Sequence, residues 1–344
     1  MKKLFLILSV LLTIFTSCET EFDVHAEWEE VTVVYGLLNQ NQDRQYVKIN
    51  KAYLGPGDAL QMAQIADSIN FNPEAMDVRL YKLQGIDTID FINLDTTIII
   101  KDLLDVNGDL GTFSVDNNII YTTLEEDSGF LEVDKAYAIT IENNESGNFV
   151  SAKTQLINNV GDNGPLQPVD FFYSLLPPYT FAFYNPNQVD SAKFLSKKIK
   201  WRQAANGQIY QLEIRFNYKE NNINKFLIWR QPTLSPLVGS ATMSTTLWGD
   251  NFFTFLSNNI ENNSSVFREF VSLDLIMTIG TSNLVNYIAA NEPYEGLVQE
   301  RPVYTNVDNG FGLFSARLTY ELIGINLSDD TKDYLKEDLQ RNFQ

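Results

Sequence analysis

The chain is poor in cysteine, histidine and positive charge, and each shortage excludes a class of protein. One Cys and one His among 344 residues cannot build a Cys-rich metal site or a disulfide framework. A catalytic triad would have to use His25, the single imidazole. Only 25 basic residues accompany 44 acidic ones, for a formal net charge of −19. Because nucleic acids are bound through basic surfaces that neutralise phosphate, we expect no nucleic-acid partner.

Long apolar runs are also scarce, and the one present lies at the N-terminus. Lys2 and Lys3 precede an apolar run over residues 4–15. This run is shorter than the ~20 apolar residues that a membrane-spanning helix needs, and no later stretch of the sequence approaches that length. A positive start, a short apolar run and small residues at its end are typical of a secretory signal peptide. We therefore expect residues 1–17 to be a signal peptide.

The single cysteine follows this run directly. Phe15-Thr16-Ser17-Cys18 resembles the lipobox of bacterial lipoproteins. The resemblance implies cleavage before Cys18 and lipidation of Cys18 by acyl chains such as palmitate. Each buried CH₂ contributes roughly 0.8 kcal/mol, so two or three chains form a lasting anchor. We predict that residues 18–30 are a lipidated stalk. A catalytic base needs a fixed position that is partly shielded from water. A stalk offers neither, so we interpret His25 as a stalk residue.

The residues that follow Cys18 indicate where in the cell the protein is located. By analogy with enteric bacteria, Glu19 rather than Asp directly after the cysteine implies onward transport to the outer membrane. The acidic residues Glu19, Glu21 and Asp23 also resemble the surface-export signal of Bacteroidetes lipoproteins. We expect an outer-membrane protein held by its N-terminal lipid, on the cell surface in preference to the periplasmic face.

Apolar and polar residues alternate along most of the remaining chain, between Asn, Gly and Asp turns, and this pattern predicts β-strands. Seven strands before residue 160 predict an immunoglobulin-like β-sandwich over residues 31–160. Asn144-Glu145-Ser146-Gly147 predicts a hairpin connection. Residues 157–168 are rich in Asn, Gly and Pro, which predicts a domain boundary. The expected strands are 30–38, 45–53, 77–83, 97–103, 119–123, 135–142 and 148–156, with a short helix at 58–69.

Residues 169–344 predict a second β-rich domain with a few short helices, so the fold class is mainly β. Asn206-Gly207 is the strongest short hairpin signal in this part. Ser328 can cap a C-terminal helix, with Asp329 and Asp330 at the positive end of the helix dipole. The expected strands are 197–203, 208–218, 225–230, 267–278, 303–305 and 311–322, and the expected helices are 250–258, 282–290 and 329–341.

Three motifs suggest chemistry, and each has a structural alternative. Asp105-Val106-Asn107-Gly108-Asp109 has the oxygen ligands of a Ca²⁺ loop but not the EF-hand spacing. A turn between strands is the alternative, and calcium there stays open. Gly310-Phe311-Gly312 matches part of a dinucleotide fingerprint, yet a strand is predicted after it where the fingerprint needs a helix. Adjacent carboxylates such as Glu125-Glu126 do not establish the pair across a cleft that a glycosidase needs. We predict no catalytic residue, no metal ligand and no cofactor.

The segment 171–184 is the densest aromatic stretch, and it is the one site of interest in the sequence. Aromatic side chains bury large areas and also stack on ligands. The first interpretation is therefore a strand that packs the two domains together, and the alternative is an exposed surface for a ligand or partner protein. Trp201, Trp229 and Trp248 share this ambiguity. The residues of this candidate surface are Tyr173, Tyr179, Phe181, Phe183 and Tyr184.

A basic cluster lies shortly after the aromatic segment. We interpret it as the solvated edge of a strand rather than as a patch for phosphate or lipid, since it is short and flanked by turn residues. Its members are Lys193, Lys197, Lys198, Lys200 and Arg202.

Three stretches, together with the lipobox, resemble a known family. They are VVYGLL at 33–38, AYAITI at 136–141 continuing to FVSAKT at 149–154, and PVYTNV at 302–307 with NGFGLFSA at 309–316. In these the chain is similar to the Bacteroidetes outer-membrane lipoproteins grouped as domain of unknown function 4249. The resemblance implies an immunoglobulin-like N-terminal domain, a second β-rich domain and an accessory role in TonB-dependent uptake. It implies no catalytic residue.

The sequence thus favours a non-enzymatic, lipid-anchored binding or accessory protein that assists nutrient capture beside a TonB-dependent transporter. Its partners would be the outer membrane, through the lipid, and that transporter. A structural adhesion or envelope-assembly lipoprotein is the alternative. A carboxylate-dependent surface hydrolase is a remote third hypothesis.

Overall fold

The computed structural model describes residues 31–52, 58–100, 111, 114, 116, 118–158, 160–161, 164–292 and 303–344. The fold is mainly β, as the sequence predicts: an immunoglobulin-like β-sandwich is followed by a second β-rich half with a few short helices. The strands are β1 (Val31–Leu38), β2 (Tyr46–Ala52), β3 (Met76–Gln84), β4 (Asp87–Asn93), β5 (Asp95–Ile98), β6 (Ile119–Thr122), β7 (Ala136–Asn143), β8 (Phe149–Gln155), β9 (Val160–Gly161), β10 (Gly164–Pro165), β11 (Thr180–Phe181), β12 (Ser196–Arg202), β13 (Ile209–Glu220), β14 (Ile223–Arg230), β15 (Thr242–Trp248), β16 (Arg268–Gly280), β17 (Val307–Asp308) and β18 (Gly310–Leu327).

The helices are short. Ser328 caps the last of them, since its side chain accepts a hydrogen bond from the Thr331 amide, as predicted. None of the helices in the described ranges has the length and apolar composition needed to cross a bilayer. The α-helices are α1 (Ala59–Ala63), α2 (Ala66–Ile69), α3 (Pro168–Phe171), α4 (Gly249–Asn259), α5 (Ser282–Asn291) and α6 (Asp329–Glu337), and 3₁₀ turns lie at Pro73–Ala75, Glu125–Asp127 and Asp190–Lys193.

The N-terminal sandwich consists of two sheets over one core. One sheet has the order β17-β8-β7-β3-β4, and the other contains β18-β1-β2-β6-β5. Inward-facing residues alternate along β1, where Val34 and Leu38 are fully buried. The predicted hairpin between β7 and β8 is confirmed, because Glu142 pairs with Phe149 across it.

The second half has its own, larger core. The strands β14-β13-β16-β18 form an antiparallel sheet, and β11 adds to the end of β18. Helix α4 and the two-stranded sheet β12–β15 contribute to this core from outside the antiparallel sheet. Aromatic rings fill much of it, including Phe216, Phe252 and Trp201. Burial of so many large apolar side chains is the main stabilising term of this half.

Strand β18 belongs to both cores. Its first part runs parallel to β1, with Thr32 opposite Gly310 and Leu38 opposite Ala316. Its second part runs antiparallel to β16, starting at Arg317 opposite Gly280. One continuous strand therefore links the two halves through backbone pairing.

Gly312 allows the parallel pairing of β18 with β1. Its φ is +111°, and a Cβ atom there would lie 2.1 Å from the carbonyl oxygen of Val34. Only glycine tolerates this approach. The stretch that follows Gly310-Phe311-Gly312 is a strand, as predicted, and the dinucleotide motif needs a helix there.

The prediction that Asn206-Gly207 joins a hairpin is wrong. β12 pairs with β15, whereas β13 pairs with β14 and β16. The amide of Gln203 donates to Ala241 and that of Gln208 donates to Gly280, so the chain leaves one sheet and enters another at this turn. Asn206 does adopt a positive φ of 65°, so the turn signal is local and does not select the partner strands.

Other differences concern single elements. Residues 303–305 are irregular, and the short strand lies slightly later, at β17. β4 and β15 are not predicted from the sequence, since β4 is exposed on both faces and β15 is rich in Thr and Ser. The predicted helix at 58–69 is two short helices, α1 and α2. Residues 101–103 of the predicted strand 97–103 lie outside the described residues.

Directly after β8, the buried residues of the chain pass from the first core to the second. Leu156 belongs to the core of the sandwich and Ile157 to that of the second half. Val307, Phe314 and Ala316 return to the first core from the C-terminal part of the chain. The domain boundary proposed at 157–168 stays a prediction.

Candidate functional site

A polar cleft lies where the sandwich meets the second half of the chain. It has a volume of about 420 Å³, and an adjoining cleft of about 270 Å³ shares part of its lining. We call the two together the junction cleft. Another cavity, of about 630 Å³, lies beside the β13–β14 turn and Gln344 and involves the second half alone. The residues that line both parts of the junction cleft are Leu83, Gly85, Ala136, Gln155 and Asn206.

The sandwich supplies one wall through the ends of three neighbouring strands. Ala136 at the start of β7 pairs with Leu83 of β3 on one side and Gln155 of β8 on the other. The turn between β3 and β4, with Gly85 and Ile86, extends beyond these ends into solvent. This wall is therefore held by sheet hydrogen bonds, and only its rim is a loop.

The turn at residues 204–208 supplies part of the opposite wall. Ala205 and Asn158 exchange two backbone hydrogen bonds of 2.8 and 2.9 Å, and the Asn206 side chain donates to the Leu156 carbonyl at 3.0 Å. These bonds tie the turn to the chain that leaves the sandwich. The two walls of the cleft are thus connected directly by hydrogen bonds.

The beginning of helix α5 completes the wall. Thr281, its N-cap residue, is buried, and its hydroxyl lies 2.7 Å from that of Ser315 on β18. Ser282 and Asn283 line the cleft, and the side-chain oxygen Oδ1 of Asn283 accepts a hydrogen bond of 3.0 Å from the Tyr304 hydroxyl. β18 therefore positions this end of the cleft as well as joining the two cores.

The cleft carries two lysines in different electrostatic states. Lys135 forms an ion pair of 2.7 Å with Asp134, and this hydrogen bond raises the pKa of Lys135 and lowers that of Asp134. Lys153 is exposed and takes part in no ion pair within the described residues. The ammonium of Lys153 is therefore available to a ligand, whereas that of Lys135 is already neutralised.

The chemistry of the lining suits hydrogen bonding more than acid–base catalysis. Amide and hydroxyl side chains predominate, and Asp134 is the only carboxylate among the described lining residues. A glycosidase needs two carboxyl groups across its cleft. Elsewhere in the described ranges, no group of three His, Cys, Asp or Glu side chains is arranged to hold a metal ion.

The structure places two members of the predicted aromatic surface in the core. Phe181 and Phe183 are 1% and 0% exposed, and the ring of Phe183 stacks on Phe252 at 4.4 Å between centroids. The backbone amide of Phe183 donates to the buried Thr331 hydroxyl at 3.0 Å. Interior rings present no face to a partner, so these two phenylalanines stabilise the second core. In the sequence, Phe181 and Phe183 alternate with other residues as the side chains of a surface strand would. Only the tertiary packing shows that both rings are interior.

The three tyrosines of the same segment lie nearer to solvent. Tyr179 and Tyr184 are partly buried against the second core, and the ring of Tyr184 lies 4.6 Å from that of Tyr334. Tyr173 is 38% exposed, and the guanidinium of Arg202 lies over its ring at 5.7 Å. Tyr173 is thus the most exposed member of the predicted set, and it lies next to the basic cluster.

The tryptophans divide in the same way. Trp201 is fully buried, and Trp229 stacks on Phe255 at 6.1 Å. Trp248 is 54% exposed at the end of β15. Of the three, only Trp248 offers its ring to a partner.

Several predicted features lie outside the described residues. They are the signal peptide over 1–17, the stalk over 18–30 with Cys18 and His25, and the Asp105–Asp109 segment. Their predictions therefore stay predictions.

The junction cleft was not predicted from the sequence. Its lining comes from distant segments such as Gly85, Gln155, Asn206 and Ser282, and these are common turn and strand-end residues with no spacing signal. A weak indication was the Asn-rich stretch after β8, which forms part of the connection between the walls. No family model matches this chain, and no curated protein is significantly similar to it.

Proposed function

We propose that the protein is a lipid-anchored binding protein of the outer membrane that assists nutrient capture beside a TonB-dependent transporter, and that the junction cleft holds the ligand. The observation that carries the proposal is a polar cleft between two β-rich halves that share one strand. Cys18 behind the short apolar run, and the resemblance to Bacteroidetes outer-membrane lipoproteins, support the location.

The lining indicates the kind of ligand. Side chains such as Asn206, Asn283 and Gln155 both donate and accept hydrogen bonds, and Lys153 adds one positive charge that no described carboxylate pairs with. Such a set suits a small hydrophilic ligand with hydroxyl groups and a carboxylate. Asp134 is the single carboxylate among the described residues of the lining, which supports binding more than carboxylate-dependent hydrolysis.

Association with a transporter is tested by purifying the tagged full chain from its own outer membrane in mild detergent and identifying co-purifying proteins by mass spectrometry. The expected result is a stoichiometric TonB-dependent transporter that is lost with Cys18→Ala. Recovery of the chain alone would contradict the uptake role and favour the adhesion or envelope-assembly alternative.

Ligand binding in the cleft is tested by thermal shift with a panel of sugars and sugar acids, because a ligand stabilises the folded state by RT ln(1 + [L]/Kd). Gln155→Trp should fill the cleft and abolish the shift, and Lys153→Gln should weaken binding of acidic ligands. Lys51→Gln is the matched control, since Lys51 lies on β2, away from the cleft lining. An equal loss in Lys51→Gln would show that the cleft is not the binding site.

A further inference from the structure

Strand β12 carries a row of positive charges on its outer side. Ile199 and Trp201 point into the core and are fully buried, whereas Lys198, Lys200 and Arg202 are exposed. Residues two apart on a strand share a face and lie about 7 Å from each other. The three cations therefore form a straight row, which we call the basic face.

The neighbouring strand extends this face with uncharged residues. In the β12–β15 register, Thr246 lies opposite Lys198, Ser244 opposite Lys200 and Thr242 opposite Arg202. Directly opposed residues of an antiparallel pair lie on the same side of the sheet. The basic face is thus a flat patch of cations and hydroxyl groups.

No described carboxylate neutralises the basic face. Lys198, Lys200 and Arg202 take part in no ion pair within the described ranges. By contrast, three cations of the β13–β14 pair, Lys219, Lys225 and Arg230, are paired with Glu269, Glu220 and Glu213. In a chain of net charge −19, an unpaired row of cations is a feature that complements a negatively charged partner.

Exposed apolar side chains border the basic face. Trp248, which is 54% exposed, lies opposite Ser196 at one end of the β12–β15 pair. Leu237 and Val238 are 68% and 106% exposed in the loop that leads into β15 at the other end. Leu176, 79% exposed, lies just after Ser174, whose hydroxyl bonds the backbone of β12 at its free edge.

This combination decides between two kinds of anionic partner. A soluble acidic polysaccharide would use the cations and the aromatic rings, but it gains nothing from exposed Leu and Val side chains. A bilayer uses all three groups, because cations attract anionic headgroups, Trp prefers the interface and aliphatic side chains enter the acyl region.

We propose that the basic face, with its border of Trp248, Leu237, Val238 and Leu176, docks the protein onto a membrane surface rich in phosphate-bearing anionic lipids. This replaces the interpretation from the sequence, which treated the cluster as a solvated strand edge, because the structure places three of its cations in one row with no ion pair among the described residues. Docking of this kind deepens the proposed function and rests on it for the identity of the membrane. The lipid at Cys18 would hold the chain near the bilayer, and the basic face would fix its orientation there.

The test measures co-sedimentation of the chain with lipid vesicles. Every variant begins at residue 19, so that neither the apolar run over residues 4–15 nor an acyl chain on Cys18 contributes to binding. Vesicles contain either phosphatidylcholine alone or phosphatidylcholine with phosphatidylglycerol. The test variant is K198Q/K200Q/R202Q, and the matched control K219Q/K225Q/R230Q removes three cations from the β13–β14 pair. Thermal melting checks that both variants fold.

The expected result is binding to the anionic vesicles that decreases with salt. Binding should fall about 100-fold in the test variant, since each of its three cations contributes roughly 5-fold. The control should retain most of the binding, and L237S/V238S should weaken binding without changing its salt dependence. An equal loss in both triple variants, or equal binding to neutral vesicles, would overturn the proposal. So would capture of soluble polygalacturonate without binding to vesicles. These outcomes are independent of the transporter pull-down, so the two proposals fail separately.

Discussion

Phe183 provides the sharpest test of how the aromatic segment is used. Its side chain is fully buried, stacks on Phe252 at 4.4 Å and lies 6.0 Å from the ring of Phe181. Phe183→Ala removes a whole ring from the second core and leaves a cavity that the surrounding rings fill only in part. If the segment were a surface, the same change would leave stability almost unaltered.

The magnitude follows from the burial. Replacing a buried Phe by Ala costs about 3–5 kcal/mol, a large part of the ~5–15 kcal/mol that holds a typical protein folded. For a unit of this size, 1 kcal/mol lowers the melting temperature by roughly 2–4 °C, so we expect a decrease of about 6–20 °C. Phe183→Leu keeps most of the volume and should cost less than about 2 kcal/mol.

The assay is urea unfolding of the full chain, followed by fluorescence and circular dichroism. Tyr173→Ala is the matched control, because Tyr173 belongs to the same segment but is 38% exposed. We expect this control to lose less than about 1 kcal/mol. Equal stabilities of Phe183→Ala and Tyr173→Ala would refute the placement of Phe183 in the core.

Three further predictions concern the frame of the fold and its response to pH. Gly312→Ala should destabilise the protein by more than about 1 kcal/mol in urea unfolding, because its φ of +111° and its contact with the Val34 carbonyl exclude a Cβ; a neutral effect would contradict the β1–β18 pairing. Asp274→Ala should cost about 1.5–3 kcal/mol in the same assay, since Asp274 is 5% exposed and accepts a hydrogen bond of 3.0 Å from Arg215; a loss below about 0.5 kcal/mol would contradict its burial. Burial raises the pKa of Tyr137 from 10.0 to about 12. A pKa that is higher in the folded state stabilises below the unfolded pKa, so this stability is lost as pH rises from 10 to about 12. Unfolding measured across that range should show a fall that is smaller in Tyr137→Phe, and identical profiles would exclude this residue as a contributor.

Local signals in the sequence predicted most strands and the last three helices. Alternation of apolar and polar residues located β1, β3 and β7 to within one or two residues. Ser328 marked the start of α6 through its side chain. These features depend on residues within a few positions of each other, which is why they can be predicted from the sequence.

The candidate site could not be predicted in this way. The junction cleft requires the ends of β3, β7 and β8 to lie beside the 204–208 turn and the start of α5. Alternation shows that a segment is a strand, but it does not say which strand is its neighbour. The failed hairpin at Asn206-Gly207 has the same cause, because a turn signal describes two residues and not the sheets on either side.

By itself, the sequence determined the mainly β fold class, the acidic surface and the position of most elements, because these follow from composition and short-range periodicity. The tertiary structure alone decided that β18 joins the two cores and that Phe181 and Phe183 are interior. It also decided that Lys198, Lys200 and Arg202 face solvent with no ion pair in the described part of the chain. The physical reason is that pairing, burial and charge neutralisation depend on contacts between residues far apart in the chain. Val34 and Gly312 meet across most of its length, and only the folded chain brings them together.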